Sequence, residues 1–579
     1  MKTKYFLIAV LGVLLTLSSC VKDLDAFPLN ETEVTPETAY DDTVESYLYG
    51  LAKLYNTMSS HEVTFVTVND PGASQIARAF FVCQEVTTDA CKIAWGNDSW
   101  VRAMNTNTWS DADNDAVFGV FFRSIQSISF CNEFLRQTTD EKLASRGLSE
   151  DTKKKVAAFR AEARVIRAWY YWMAMDVFGA VPFTDENSKV GTEAPEQQDR
   201  EYIYNFVVSE LEDLASAESA LPAAQSNYPR VDKGTALGLL ARIYLNAGTY
   251  NSKPEWLKTQ QTCERIFTET NYKLAPTYAE LFRGDNGENP DAIGEFLMAI
   301  PFDTKQQQSY GGTTFLTAGA IAENDEVSMI GVKGGWGGVR VDGTYIENFF
   351  KITDQDIVTE TDAKTGDLVY TGEFTCADKR GATLFIKGRS NTHITDKDVL
   401  YNFQYGWSNF KFNNIPHDKT ADQFEALETF SNVDLPVIRL AEIYLIYAEA
   451  CRELTETAKG LPYLAQLAER AGVEAPTVED VEGGELLADG VTKIDFFIAE
   501  RARELMWESC RRTDLIRHGL FSSETYLWPF KGGESVTGKA FESYKELFAL
   551  PSSQIKANPG LHNPEGYDKK KEDAEETEK

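Results

Sequence analysis

Between Thr152 and Phe178 the apolar residues Phe159, Ala163, Ile166, Tyr170, Met173 and Val177 recur at alternating spacings of four and three. On an α-helix that spacing forms one continuous stripe. A helix with such a stripe must bury it against another element, so the chain is committed to packed helices. Arg160, Arg164 and Arg167 lie off the stripe, and Gly179 followed by Pro182 ends the helix. Two further segments show the same period. Lys233 to Asn246 sets Leu237, Leu240, Ala241 and Tyr244 on one face before Gly248. Leu435 to Leu454 does so with Leu440, Tyr444, Tyr447, Cys451 and Leu454. A fourth predicted helix, Ile494 to His518, is richer in charge.

Ala236 to Leu245 and Leu440 to Ala448 resemble each other, with small residues and Tyr where a tetratricopeptide helix packs its neighbour. The fold expected is mainly α, built of tetratricopeptide-like helix pairs packed against a loop-rich region with a few short strands. The helical scaffold covers about 40–280 and 433–567, and the loop-rich insertion about 285–432. In the insertion helical periodicity disappears and Gly, Thr, Asn and aromatic residues dominate. Gly311-Gly312, Gly334-Gly335 and Gly337-Gly338 mark tight turns, and Leu368 to Tyr370 reads as a short strand. Loops on a rigid scaffold are where binding residues concentrate, so a ligand site is expected there.

The N-terminus reads as an export signal. Lys2 and Lys4 precede the apolar run Phe6 to Leu17, and Leu17-Ser18-Ser19-Cys20 looks like the lipobox of bacterial lipoproteins. Residues 1–19 are then a signal peptide, Cys20 takes the lipid, and 20–567 form a single domain. Val21-Lys22-Asp23-Leu24-Asp25 resembles a tag that sends lipoproteins to the outer face of the outer membrane. No other segment has the roughly 18 uninterrupted apolar residues of a membrane helix, so lipid at Cys20 is the expected attachment. The tail 568–579 is a charge run with Ala574 as its one apolar residue, and is expected to be disordered.

The formal net charge of −32 would repel nucleic-acid phosphates, whereas a neutral sugar polymer is compatible with it. The seven cysteines after Cys20 (Cys83, Cys91, Cys131, Cys263, Cys376, Cys451, Cys510) form no CxxC pair and read as buried, small, apolar side chains. His61, His393, His417, His518 and His562 are scattered without HExxH spacing, and neither a G-x-S-x-G elbow nor a phosphate loop occurs. Carboxylates are plentiful, but nothing selects a glycosidase pair. No catalytic residue, metal ligand set or cofactor is therefore expected. Asp111, Asp113 and Asp115 alternate like the start of a calcium loop, but Ala116 stands for its turn Gly and Phe122 for its closing Glu. A structural calcium ion there or near Asp434 is the one metal considered.

Two stretches are suited to holding sugar rings. A pyranose offers apolar C–H faces that stack on aromatic rings and hydroxyls that need donors and acceptors at the edge. Thr88 to Trp100 places Trp95 beside Gly96 and Asn97, a composition of exposed turns, with Trp109 beyond. Ser309 to Thr314 contains Tyr310, and Trp336 is flanked by four glycines. The plainer reading is that these tryptophans pin loops to the helical body.

Four motifs in order then resemble the RagB/SusD family. They are Arg160 to Pro182, Leu435 to Tyr444, Glu500 to Leu505 with Arg511, Arg512, Asp514, Leu515 and Arg517, and Leu550-Pro551 through Ile555, Asn558-Pro559 and Gly566-Tyr567. Cys510 to Thr513 departs from the family's usual His-Arg-aromatic order. The charged residues Glu500, Arg503, Glu504, Glu508, Arg511 and Asp514 read as helix-surface or inter-helix salt bridges. The resemblance implies an outer-membrane lipoprotein facing the cell exterior. It would bind a glycan without chemistry and act as a lid on a SusC-like TonB-dependent transporter. By the same resemblance to the starch-binding branch, Trp95, Tyr310 and Trp336 form an aromatic arc. Arg78, with Asn97 or Asp98, offers hydrogen bonds to hydroxyls of starch or a related α-glucan. The competing readings are another polysaccharide, a surface-anchored glycoside hydrolase and a protein-binding scaffold.

Overall fold

The structure, a computed structural model, describes residues 39–61, 70, 72–111, 114–191, 193–321, 327–353, 356–361, 368–385, 391–424 and 427–567. Cys20 with its export signal, Asp113 and the charged tail lie outside the described residues.

The long stripe becomes α3 (Glu150–Phe178), which follows α1 (Val44–Ser59) and α2 (Asp115–Gln137). Ser149 Oγ accepts the Thr152 amide at 3.2 Å, and Glu150 and Asp151 complement the dipole of the first turn. Gly179, with φ 73°, ends the helix as anticipated. Burial is wider than the stripe. Trp169, Trp172, Ala174 and Met175 are also buried, because α1 and α2 cover one side of α3 and α4 (Arg200–Leu214) the other. Arg167, off the stripe, is buried too and pairs with Glu186 and Glu210.

The stack continues through α5 (Lys233–Leu245) and α6 (Trp256–Glu269). α6 then packs directly on α8 (Leu440–Glu453), which pairs with α9 (Thr457–Ala471). Between α6 and α8 the chain makes its loop-rich excursion, which contains the short helix α7 (Gly312–Ala318). The excursion is closed at its base by β2 (Phe296–Ile300) pairing antiparallel with β4 (Leu435–Arg439), in the register Leu435↔Ile300 and Arg439↔Phe296. The other ladder that matters joins β1 (Lys92–Ile93) to β3 (Val339–Arg340). The fold is thus mainly α with small two-stranded ladders.

Two expected helices differ from the sequence reading. Leu435–Arg439 is a strand, not the first turn of α8. Pro436 disfavours helix at Leu435 and adds no donor to the ladder, while Val437 and Ile438 suit extended backbone. The segment 494–518 is split into α10 (Phe496–Glu504) and α11 (Arg511–Arg517), with Trp507 and Ser509 left-handed at φ 62° and 61°. That break turns Trp507 inward, where its indole N–H donates to the Ala90 carbonyl at 2.9 Å. It also turns Glu508 toward Arg439 and Lys411 (2.8 and 2.6 Å).

The family-motif charges are therefore not a surface lattice. Glu504 is 0% exposed and accepts from Arg439 and Arg470, both at 2.6 Å, and from Arg380 at 2.8 Å. Arg380 also reaches Asp378 and Glu500 at 2.7 Å, and Arg439 reaches Glu295 at 3.0 Å. Arg380, Asp378 and Lys411 belong to the excursion and the others to its base and the scaffold, so the network rivets the two together. Of the seven cysteines all but Cys376 are buried.

Buried carboxyls of two kinds give the fold a pH signature. Burial raises Glu85 to about 7 and Asp232 and Asp434 to about 6. Each binds its proton more tightly folded than unfolded, so its contribution is full below the unfolded pKa and lost as pH rises through 6–7. Burial also pushes Glu500, Glu504, Glu508 and Asp514 upward, but adjacent guanidiniums and Lys411 outweigh it and hold them below the ordinary range. Their contribution is present above the unfolded pKa and lost on acidification. Burial lowers Lys92 and Lys411 to about 8 and Lys531 to about 7, which opposes the carboxyls above about pH 7. Tm is therefore expected to rise as pH is lowered from about 7 to about 5 and to fall steeply below about 4. Scanning calorimetry across that range checks it. Asp434→Asn should flatten the limb between about pH 7 and 5, and a Tm that falls steadily from about pH 7 downward would contradict the assignment.

Candidate functional site

The β1–β3 ladder sets the site. After Ile93 pairs with Val339, the Ala94 amide donates to the Gly338 carbonyl at 2.8 Å, and Trp95 emerges beside the strip that bears Trp336. The Trp95 indole N–H donates to the Trp336 carbonyl at 3.4 Å. A Cβ on Gly338 would sit 2.1 Å from Trp95 Nε1, so only glycine lets the two strips approach this closely. The Trp336 strip is hung on α7 and the turn after it. The amides of Trp336, Gly337 and Val339 donate to the carbonyls of Ala318, Ile321 and Gly319 at 2.7, 2.6 and 2.8 Å. Beneath the Trp336 ring lies a small cluster of Ala318, Ile321, Ile330 and Val332.

Tyr310 enters from the other end of α7. Its ring is 6.4 Å from Trp336, tilted by 44°, and 37% of the residue is exposed. Gly312 turns the chain at φ 52° with no room for a side chain, since a Cβ would meet Phe302 at 2.2 Å. The Gly312 amide donates to Gln75 Oε1 at 3.0 Å. Phe315, on α7, meets the Trp95 ring edge-on at 6.1 Å.

Arg78 lies behind the rings and is 3% exposed. Its guanidinium faces Phe315 at 4.5 Å and Trp95 at 5.9 Å. It donates to Asp70 Oδ1 at 3.0 Å, to Asp70 Oδ2, and to the Tyr310 carbonyl at 3.4 Å. Burial lowers its pKa below the ordinary value, while Asp70 and Asp98 pull it back up. The sequence reading offers Arg78 as a donor to hydroxyls. In the structure those donors fix Tyr310 and charge-pair with Asp70, whose side chain is 39% exposed and carries acceptor oxygens to the surface. Asn97 and Asp98 are exposed in the turn after Trp95, where the Asp98 amide donates to the Trp95 carbonyl at 3.1 Å.

The structure thus brings Trp95, Tyr310, Trp336 and Arg78 together and sets Asn97 and Asp98 at the lip. Trp109 is not part of the face. It is buried, with its indole donating to the Tyr567 hydroxyl at 3.0 Å. Asp70 and Phe430, whose ring lies 5.0 Å from Tyr310, are neighbours the sequence did not point to. Asp70 sits in an ordinary Asn-Asp-Pro-Gly turn motif, and Phe430 is far from any candidate in sequence. Among the described residues no group of three or more His, Cys, Asp or Glu side chains is placed to hold a metal ion. The Asp434 carboxylate is engaged by the Tyr228 hydroxyl (2.6 Å) and the Phe302 amide (3.1 Å). No helix among the described residues is long and apolar enough to cross a membrane.

Two family models match in succession along the chain. Residues 53–245 match one described as starch-binding and associating with the outer membrane, and residues 294–567 match the SusD family itself. The starch-binding protein SusD of Bacteroides thetaiotaomicron is 29% identical over 98% of this chain and 100% of its own length.

The chain belongs to the SusD family.

A SusD-like protein of Bacteroides ovatus is 24% identical over 58% of this chain and 56% of its own length. Solved SusD-superfamily structures share the fold. One from Bacteroides vulgatus superimposes with a TM-score of 0.64 at 18% identity, covering 90% of this chain and 99% of that one. Surface glycan-binding protein A of B. thetaiotaomicron, solved in complex with laminarihexaose, gives 0.61 at 17% identity, covering 90% and 99%. The SusD motifs around α3, β4–α8 and α10–α11 are the scaffold and its ion network. The aromatic face lies outside them, on the segments flanking β1, α7 and β3.

Proposed function

We propose that this chain is a surface lipoprotein, anchored through Cys20 to the outer membrane, that captures starch or a related α-glucan and passes it to a SusC-like TonB-dependent transporter. The observation that carries the reading is the convergence of Trp95, Tyr310 and Trp336 from separate segments on one face, with Asp70, Asn97 and Asp98 at its edge. Stacked rings bind C–H faces, at about 1–2 kcal/mol for each partly covered ring, and edge oxygens and amides serve the hydroxyls. The 44° tilt between Tyr310 and Trp336 suits a chain that coils, as α-1,4-glucans do, better than a flat one. Family membership supports delivery to a transporter, and the lipobox supports the anchor. Of the carboxylates at the edge, Asp70 is engaged in an ion pair with the buried Arg78, and retention without hydrolysis is the reading adopted.

Affinity electrophoresis in gels containing amylopectin, glycogen or laminarin tests it, with reducing-sugar release measured in parallel. Retardation by the α-glucans without sugar release is expected. A laminarin-only shift would move the assignment to β-1,3-glucans, which also coil and one of whose oligomers occupies the related glycan-binding protein. Release of reducing sugar would overturn the binding-only reading. The close approach at Gly338 gives a sharper test. Gly338→Ala must displace the Trp95 ring, and is expected to weaken retention by about tenfold while Tm moves by only a few degrees.

A further inference from the structure

Tyr310 is not the end of the row of rings. The Phe430 ring lies 5.0 Å from it, tilted by 56°, and the residue is half-buried. Its segment is fixed at several points. The Lys333 amide donates to the Glu428 carbonyl at 2.8 Å, and the Ser431 amide to Thr314 Oγ1 at 3.0 Å. Thr313 Oγ1 donates to the Val433 carbonyl at 2.7 Å, and the Asp434 amide to Asn286 Oδ1 at 2.8 Å. Ser431, Val433 and Asp434 are buried, so the strap is tied to the start of α7 and to the base of the excursion. An apolar ring held this firmly yet partly in water gains free energy when something apolar covers it.

We propose that Phe430 is a fourth platform ring, receiving the sugar unit that follows the one on Tyr310, so that the site discriminates glucans by chain length. The inference rests on the arc being a glucan site. Phe430 has no hydroxyl and adds apolar contact without a new hydrogen bond. Its contribution therefore depends on whether the chain is long enough to reach it. The alternative is that Phe430 only buttresses Tyr310, in which case ligands of every length would depend on it alike.

The test is titration calorimetry with the maltooligosaccharide series from maltotriose to maltoheptaose, repeated with laminari-oligosaccharides. Wild type, Phe430→Ala, Phe430→Leu and Trp336→Ala are compared. Phe430→Leu keeps apolar bulk behind Tyr310 but removes the flat face, which guards against a folding defect in the Ala variant. Wild-type affinity is expected to climb with length and level off. Both Phe430 variants should lower the plateau by about fivefold to tenfold and leave the shortest bound oligomer unchanged. Equal weakening at every length, or none, overturns the proposal in favour of buttressing or irrelevance. If Trp336→Ala binds like wild type, or if neither series binds wild type, the arc reading itself has failed and the fourth ring with it.

Discussion

Glu504→Ala is expected to cost the fold about 3–5 kcal/mol, read as a lower urea midpoint at unchanged m-value. Its carboxylate accepts from Arg380, Arg439 and Arg470, and it is 0% exposed, so truncation leaves three guanidiniums short of one counter-charge with no water to replace it. Asp378, Glu500, Glu295 and Glu508 remain as partial compensation, which favours the lower part of that range. Replacing a surface pair member gives the contrast. Lys155 meets Asp151 at 2.9 Å with both side chains mostly in water, and Lys155→Ala should leave the urea midpoint essentially unchanged. A Glu504→Ala shift as small as that of Lys155→Ala would mean that the network does not hold the excursion to the scaffold.

Trp336→Ala, and the triple replacement of Trp95, Tyr310 and Trp336 by Ala, should carry the largest functional effects. Losing one stacking ring weakens polysaccharide binding by about 5- to 30-fold, and losing all three should leave migration in starch gels equal to that in blank gels. Trp336→Ala also uncovers Ala318, Ile321, Ile330 and Val332, so some loss of Tm accompanies it. Tyr310→Ala separates the two effects, because its ring projects further into solvent and covers less of the core. Retention by the triple variant equal to wild type, with circular dichroism intact, would favour the protein-binding scaffold reading.

Much of the helical frame was legible because helix signals are local. The 4–3 stripe and Gly179 bound α3 within a few residues of where it lies. The limits of that locality are equally clear. Leu435 to Arg439 is apolar enough to extend the α8 pattern backward, and its identity as a strand is decided by β2, more than a hundred residues earlier. The break at Trp507 and Ser509 pairs left-handed backbone with the burial of Trp507 and Glu508, and no residue near it carries a breaker signal. Charges at three- and four-residue spacing look the same on paper whether they face water or, like Glu504, face three arginines from other segments. At the site, the tryptophans stood out because glycine-rich surroundings leave an aromatic ring little local support. Asp70 and Phe430 have no such composition. They join the face only through Arg78 and Tyr310, contacts made across the fold.

The β2–β4 ladder has a consequence for how such a chain can change. Because its two strands meet side by side, the stack of helices experiences everything between Ile300 and Leu435 as the tip of a hairpin. Lengthening that tip raises the closure cost by only about 0.6 kcal/mol for each doubling. The excursion can therefore be exchanged, enlarged or resurfaced with little effect on the scaffold, provided three fittings survive. These are the cations that meet the scaffold at Arg380 and Lys411, the strip that lies against Lys92 and Ile93, and the glycine that admits Trp95. The ladder works as a socket, and a new ligand preference can be acquired by changing what is plugged into it.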